Sequence, residues 1–230
     1  MEECYSISGF NDPMSSLSHL VGTVIFFVLG IFMLWSARHS RKTFLYSLQF
    51  VVATLFLLSM SFVYHLLPDD TKARQVLLRL DVAAIFALIA SSFTVIHGIL
   101  FQGWKRTIPI ILIWAIAIPG ITLRTIFFDS IPSVLGDGIF LLMGWIGLWS
   151  AVLLWREFGW PGVRLMFIGG VFYTVGALSN TFDWPIIINR IWGPHETFHL
   201  FVLAGLGTHW AFAWNIADGT FQRRYEKEPT

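Results

Sequence analysis

The sequence predicts an all-α membrane protein, a bundle of seven transmembrane helices, and three observations carry that prediction. Of its 230 residues 56% are apolar and 13% are charged, against about a quarter charged in soluble domains. Seven stretches reach the roughly 20 mostly apolar residues that a helix needs to cross the hydrocarbon layer. The connections between them are short, which leaves no room for a soluble module, so residues 1–230 are expected to form a single domain.

The first expected span, 18–37, follows a segment, 1–17, that holds Glu2, Glu3 and Asp12 and no Lys or Arg. That segment lacks the basic start of a signal peptide, so the first span is expected to stay in the mature protein. The second span, 44–67, ends in Ser59-Met-Ser-Phe-Val-Tyr-His65, and the third, 76–101, carries Asp81 near its start. The fourth and fifth, 108–128 and 131–155, meet at a short connection marked by Asp129, Pro132 and Asp137, with Arg124 near a helix end. A charged stretch with Arg156 and Arg164 then leads to the sixth span, 165–184, and the seventh, 195–216, opens on two histidines. The tail, 217–230, reads as a solvated end. No internal repeat is visible, and the eleven tryptophans gather mostly near span ends, as interfacial anchors do.

Sorting charge by side gives an orientation. Arg38, Arg41, Lys42, Lys105, Arg106, Arg156, Arg164, Arg223, Arg224 and Lys227 fall on one face, ten of the fifteen basic residues. Lys72, Arg74, Arg79, Arg124 and Arg190 fall on the other, with ten of the fourteen acids. The positive-inside tendency then puts the N-terminus outside or in a lumen and the C-terminus in the cytoplasm. The net charge of +1 is uninformative in itself, and the expected partners are the lipid bilayer and a membrane lipid, with no nucleic acid.

The chemistry gathers at one end of the bundle. His195 and His199 are four apart, so one helical turn stacks both imidazoles on one face, where a single metal ion could take a nitrogen from each. His65, at the end of the second span, is level with them because an even number of passes, spans three to six, lies between. Ser61 sits one turn before His65 on the same face. Asp81 lies one or two turns into the third span, where a carboxylate costs about 2.5–3.5 kcal/mol on insertion scales, so a partner or a function is expected. Three imidazoles with a fourth position left for water make a tetrahedral catalytic zinc site, which acidifies that water to a pKa of about 7. Asp81 could accept the proton, and Ser61 could bond the water or a developing oxyanion. The alternatives are an interfacial histidine pair without metal, a salt bridge from Asp81 to Arg79 or another arginine of that face, and a Ser61 hydroxyl bonded to its own helix. With Cys4 the only cysteine, a disulfide within the chain and a cysteine-rich zinc site are both excluded.

Other polar residues rank lower. His19 could support the cluster or pack at the interface, and Asn11, Asp12, Asp137 and Asp183 read as peripheral. Glu196 is expected to support a helix start. His97 and His209 are excluded as ligands because they lie roughly 15 Å away along their helices.

The combination of Ser-x-x-x-His, an aspartate entering the third span and His-x-x-x-His opening the seventh resembles the hemolysin III and progestin and adiponectin receptor family, which shares a superfamily with the alkaline ceramidases. Ser18-His-Leu-Val-Gly22, Leu80-Asp-Val-Ala-Ala-Ile-Phe-Ala-Leu-Ile-Ala90, Gly169-Gly-Val-Phe-Tyr-Thr-Val-Gly-Ala177 and His195-Glu-Thr-Phe-His-Leu-Phe-Val-Leu-Ala-Gly205 look like blocks of that family. Ala90-Ser-Ser-Phe-Thr-Val-Ile-His97 departs from the hemolysin III pattern, and the outward N-terminus matches the ceramidase layout. The resemblance implies a Zn2+ ion held by His65, His195 and His199, with Asp81 and Ser61 beside its water, and hydrolysis of a lipid amide such as ceramide.

The leading expectation is therefore a zinc-dependent intramembrane hydrolase of a membrane-lipid amide or, second, an ester. A receptor with a structural zinc is the alternative. A lytic pore or an ion transporter ranks below both, because no polar stripe runs the length of a helix and the ionisable residues gather at one end.

Overall fold

The computed structural model describes residues 10–130 and 133–225, with the backbone alone at 133–138, 141 and 145. Glu2, Glu3, Cys4, Pro132 and Lys227 lie outside the described residues, as does the side chain of Asp137.

Helix boundaries are set by residues that satisfy the exposed backbone ends. Helix α1 (Pro13–Ala37) starts on a proline at its first turn, where the missing N–H costs nothing. Ser40 caps α2 (Arg41–Leu66) and Thr71 caps α3 (Lys72–Leu100), each side-chain oxygen accepting a backbone N–H in the first turn. Helix α4 (Trp104–Thr125) is followed by a short 3-10 turn at Phe128–Ser130. The longest helical run, α5 (Ser133–Thr181), has one non-helical residue, Gly159, at φ 66° and ψ −171°. Helix α6 (Pro194–Ala217) again begins on proline, and α7 (Thr220–Tyr225) ends the described chain.

Among the described residues six helical stretches are long and apolar enough to span a membrane. Gly159 divides the last but one, α5, into two arms. At about 1.5 Å per residue the whole run would measure more than twice the hydrocarbon thickness, whereas each arm crosses it once. Counted by arms, the bundle has the seven spans the sequence predicts.

The differences from the sequence reading concern boundaries. Helix α1 begins five residues before the expected position 18, and the first turn buries Ser15 and Ser16. Helix α3 begins at Lys72, four residues before the expected position 76, so Lys72 and Arg74 stand on the helix and not before it. The expected connection 156–164 is helical apart from Gly159. The tail is not a solvated end as far as Tyr225: Phe221 is buried against Phe212 and Phe158, and Tyr225 packs on Phe158 and Phe221.

Consecutive helices pack side by side, and α6 closes the bundle by packing on α5, α1, α3 and α2. The main core runs along α6, where Trp210 lies 4.9 Å from Phe26 and 5.3 Å from Phe50 between ring centroids. A second core joins α3, α4 and the first arm of α5 around Phe86, Phe93, Ile113 and Met143. Large apolar side chains such as Val21, Phe32, Trp35 and Ile111 are exposed, which is the inverse of a soluble protein and what a lipid solvent requires. The arrangement brings the start of α1, the end of α2, the start of α3 and the start of α6 to one end of the bundle.

Candidate metal centre

Two helix ends place the three predicted ligands. The last turn of α2 carries His65, and the first two turns of α6 carry His195 and His199. The start of α6 is fixed by Pro194 and by Glu196, whose carboxylate accepts the Gly193 N–H at 2.9 Å and the Ser15 hydroxyl at 3.0 Å. Glu196 thus supports the helix start, as the sequence suggests. His65 and His199 are buried, while His195 sits at the open edge of the cluster.

The three Nε2 atoms converge. His65 Nε2 is 3.3 Å from His195 Nε2, which is 3.1 Å from His199 Nε2, and one ligand atom from each of the three residues lies within 4.8 Å of the others. Three nitrogens bound to one ion at 2.0–2.1 Å in a tetrahedral arrangement sit about 3.3 Å apart.

Proton placement supplies a sharper test of fit. His65 Nδ1 is 2.9 Å from the Asp12 carboxylate and His195 Nδ1 is 3.1 Å from Asn180 Oδ1, and both partners are acceptors. In neutral imidazoles those contacts place each proton on Nδ1, so the Nε2 atoms of His65 and His195 present lone pairs to each other. A cation between them relieves that repulsion. His199 Nδ1 has no hydrogen-bond partner among the described residues, and its Nε2 completes the set. The residues therefore fit a metal ion, and the His65, His195 and His199 group could hold one.

Asp12 is locked in place from two sides. Its carboxylate also accepts Arg74 Nη2 at 2.8 Å, and its backbone N–H donates to the His65 carbonyl at 3.0 Å. Arg74, buried, donates to the carbonyls of Tyr64 at 3.0 Å and Leu67 at 2.6 Å, and pairs through Nε with Asp69 at 3.0 Å. Burial pushes the Asp12 carboxyl up, but the hydrogen bonds from His65 and Arg74 and the positive charge of Arg74 outweigh it and hold the group below the ordinary range.

Asp81 lies half-buried beside Ser61 and near His65. The alternative pairing of Asp81 with Arg79 does not occur, since Arg79 bonds Asp129 instead. His19 is buried with its ring stacked on His199, centroids 4.0 Å apart. The excluded histidines are occupied elsewhere: His97 bonds the Lys105 carbonyl and the Ser150 hydroxyl, both at 2.8 Å, and His209 bonds the Met166 carbonyl at 3.1 Å.

Three supporting residues escape the sequence reading. Asp12 is not peripheral but bonds a candidate ligand directly. Arg74, which precedes the expected third span, anchors Asp12 from α3. Asn180 carries no motif; its one signal is a polar residue closing an apolar helix at the same end as the histidines.

A family model described as haemolysin-III related matches residues 8–210. The chain is 26% identical to a hemolysin-3 homolog of Bacillus subtilis, over 83% of this chain and 87% of that protein. It is likewise 26% identical to hemolysin-3 of Bacillus cereus, over 83% and 84%. It is 28% identical to heptahelical transmembrane protein 1 of Arabidopsis thaliana, over 93% of this chain and 72% of that protein.

Proposed function

The chain belongs to the haemolysin-III related family, and from its convergent imidazoles beside Ser61 and Asp81 we propose that it is a zinc-dependent intramembrane hydrolase of lipid amides such as ceramide. The observation that carries the reading is the pair of Nε2 lone pairs turned toward each other at 3.3 Å with His199 Nε2 alongside. Zinc bound there would supply a Lewis acid and a water acidified to near neutral pH.

The chain's own groups divide the remaining work. His65, His195 and His199 bind as neutral imidazoles, with Asp12 and Asn180 holding the protons of His65 and His195 on Nδ1. Asp81 takes the proton from the attacking water and returns it to the leaving amine. Ser61, next to Asp81, donates a hydrogen bond to the carbonyl oxygen as it gains negative charge. Water and amide are thereby converted to a fatty acid and an amine. The open edge at His195 suits a substrate that arrives sideways from the bilayer with its acyl tails still in lipid. In this reading the N-terminus faces outside or a lumen and the C-terminus faces the cytoplasm.

The test offers the purified protein, in lipid nanodiscs with zinc, a panel of ceramides and other N-acyl lipids, and measures fatty acid and amine release by mass spectrometry. Native turnover that falls about 10²–10⁴-fold in Asp81→Asn, with zinc content unchanged, supports the reading. One zinc per chain without turnover of any amide or ester sinks the hydrolase and leaves a receptor with a structural metal. No bound zinc removes both.

A further inference from the structure

The connection between α5 and α6, residues 182–193, is apolar where a water-facing loop would be polar. Phe182 and Trp184 are each 72% exposed and Ile186 is 65% exposed, followed by exposed Ile187, Ile188 and Ile191. The segment carries two charges, Asp183 and Arg190. A contiguous patch of that kind marks an interaction surface.

The second arm of α5 shows what covers it. Its exposed apolar residues Ile168, Val171, Val175 and Leu178 recur at three- and four-residue spacing, one helix face that a spanning helix turns to lipid. Continuing that spacing arrives at Phe182, so the lipid-facing stripe runs off the helix end and into the connection without a break. The connection extends a surface whose solvent is the bilayer.

Its backbone is suited to the same solvent, because polar groups in lipid must be satisfied internally. The N–H groups of Ile187 and Ile188 both donate to the Trp192 carbonyl, at 2.9 and 3.2 Å, and those of Ile191 and Trp192 return to the Ile188 carbonyl at 3.1 and 2.9 Å. The Trp184 N–H donates back to the Ser179 carbonyl at 3.1 Å. The fold closes on itself and leaves apolar side chains outward.

We infer that residues 182–188, with Ile191, insert into the lipid leaflet at the histidine end of the bundle, at the boundary of headgroups and acyl chains. The insert is tied rigidly to the candidate metal centre. Ser179 Oγ donates to the Pro194 carbonyl at 3.1 Å, Trp192 Nε1 donates to Thr197 Oγ1 at 3.1 Å, and Asn180 bonds His195. Its seating therefore sets the depth at which the open edge of the cluster meets the leaflet. The inference concerns a surface and its partner, so it holds or fails independently of any hydrolysis.

Depth measurement by electron paramagnetic resonance tests it. In a Cys4→Ser background, single cysteines at Phe182, Ile187, Val175 and Asp70 are labelled with a nitroxide, and the protein is reconstituted into phosphatidylcholine vesicles. Accessibility to oxygen, which concentrates in lipid, is compared with accessibility to a water-soluble nickel chelate. Labels at 182 and 187 are expected to favour oxygen and to report roughly 5–10 Å below the headgroups, shallower than 175, while 70 favours the chelate. Labels at 182 and 187 as chelate-accessible as 70 overturn the inference. So does shielding from both probes, which would mean a protein partner or a second copy covers the loop. The two loop positions are independent, so one variant that fails to fold leaves the other to decide.

Discussion

His65 can offer Nε2 to a metal only while its proton stays on Nδ1, and Asp12 is the group that keeps it there, at 2.9 Å and itself fixed by Arg74 at 2.8 Å. Outer groups of this kind are worth about 10–100-fold in metal affinity. Asp12→Ala should therefore weaken zinc binding by that factor, read by competition with a calibrated chelator. Asp12→Asn should lose less, because its amide oxygen still accepts from Nδ1. A native affinity in Asp12→Ala would show that His65 needs no partner. That these three histidines gather at one place was legible in the sequence, because His195 and His199 announce themselves by helical spacing, and His65 by its place at the same end of an apolar run. Asp12 and Asn180 were not, because they stand 53 and 15 residues from the histidines they bond. Nothing local distinguishes a carboxylate that supports a ligand from one that caps a helix or faces water.

Hydropathy locates the slab of each helix that lies in lipid, whereas helix ends are decided by caps. That is why every span was legible while the starts of four moved, by as little as one residue at Pro194 and by more at Pro13, Arg41 and Lys72, the sites that prolines, Ser40 and Thr71 define. The break in α5 shows the same division. Charges around 156–164 read as a loop, but the backbone stays helical and concentrates the whole change of direction in Gly159, whose φ and ψ are open to glycine and almost nothing else. Gly159→Ala should destabilise the protein by about 1–3 kcal/mol, seen as a lower melting temperature in detergent, whereas Gly144→Ala, where an added Cβ meets nothing, should not. Close helix approach makes a second demand. A Cβ on Gly120 would collide with the fully buried ring of Phe86, so Gly120→Val should cost about 1–3 kcal/mol by overpacking the α3 and α4 contact.

Across the whole molecule, most packing joins neighbours in sequence, and the long-range closure rests on α6 against α1, α2 and α3. The histidine cluster stands on that closure, with His65 on α2 and His195 and His199 on α6. An ion held there would fasten the end of the second helix to the beginning of the last long one, and it would bind the folded bundle but find no preformed site in the unfolded chain. Metal would then stabilise by mass action, by about 2.7 kcal/mol when free zinc stands at 100 times its dissociation constant. For a chain of this size that corresponds to a rise of roughly 5–10 °C in melting temperature. Thermal unfolding followed by circular dichroism, with zinc and then with excess chelator, should show that shift in the native protein. It should vanish in His199→Ala. A shift that survives His199→Ala would place the ion elsewhere, and no shift in the native protein would mean that α2 and α6 are closed by packing and hydrogen bonds without a metal.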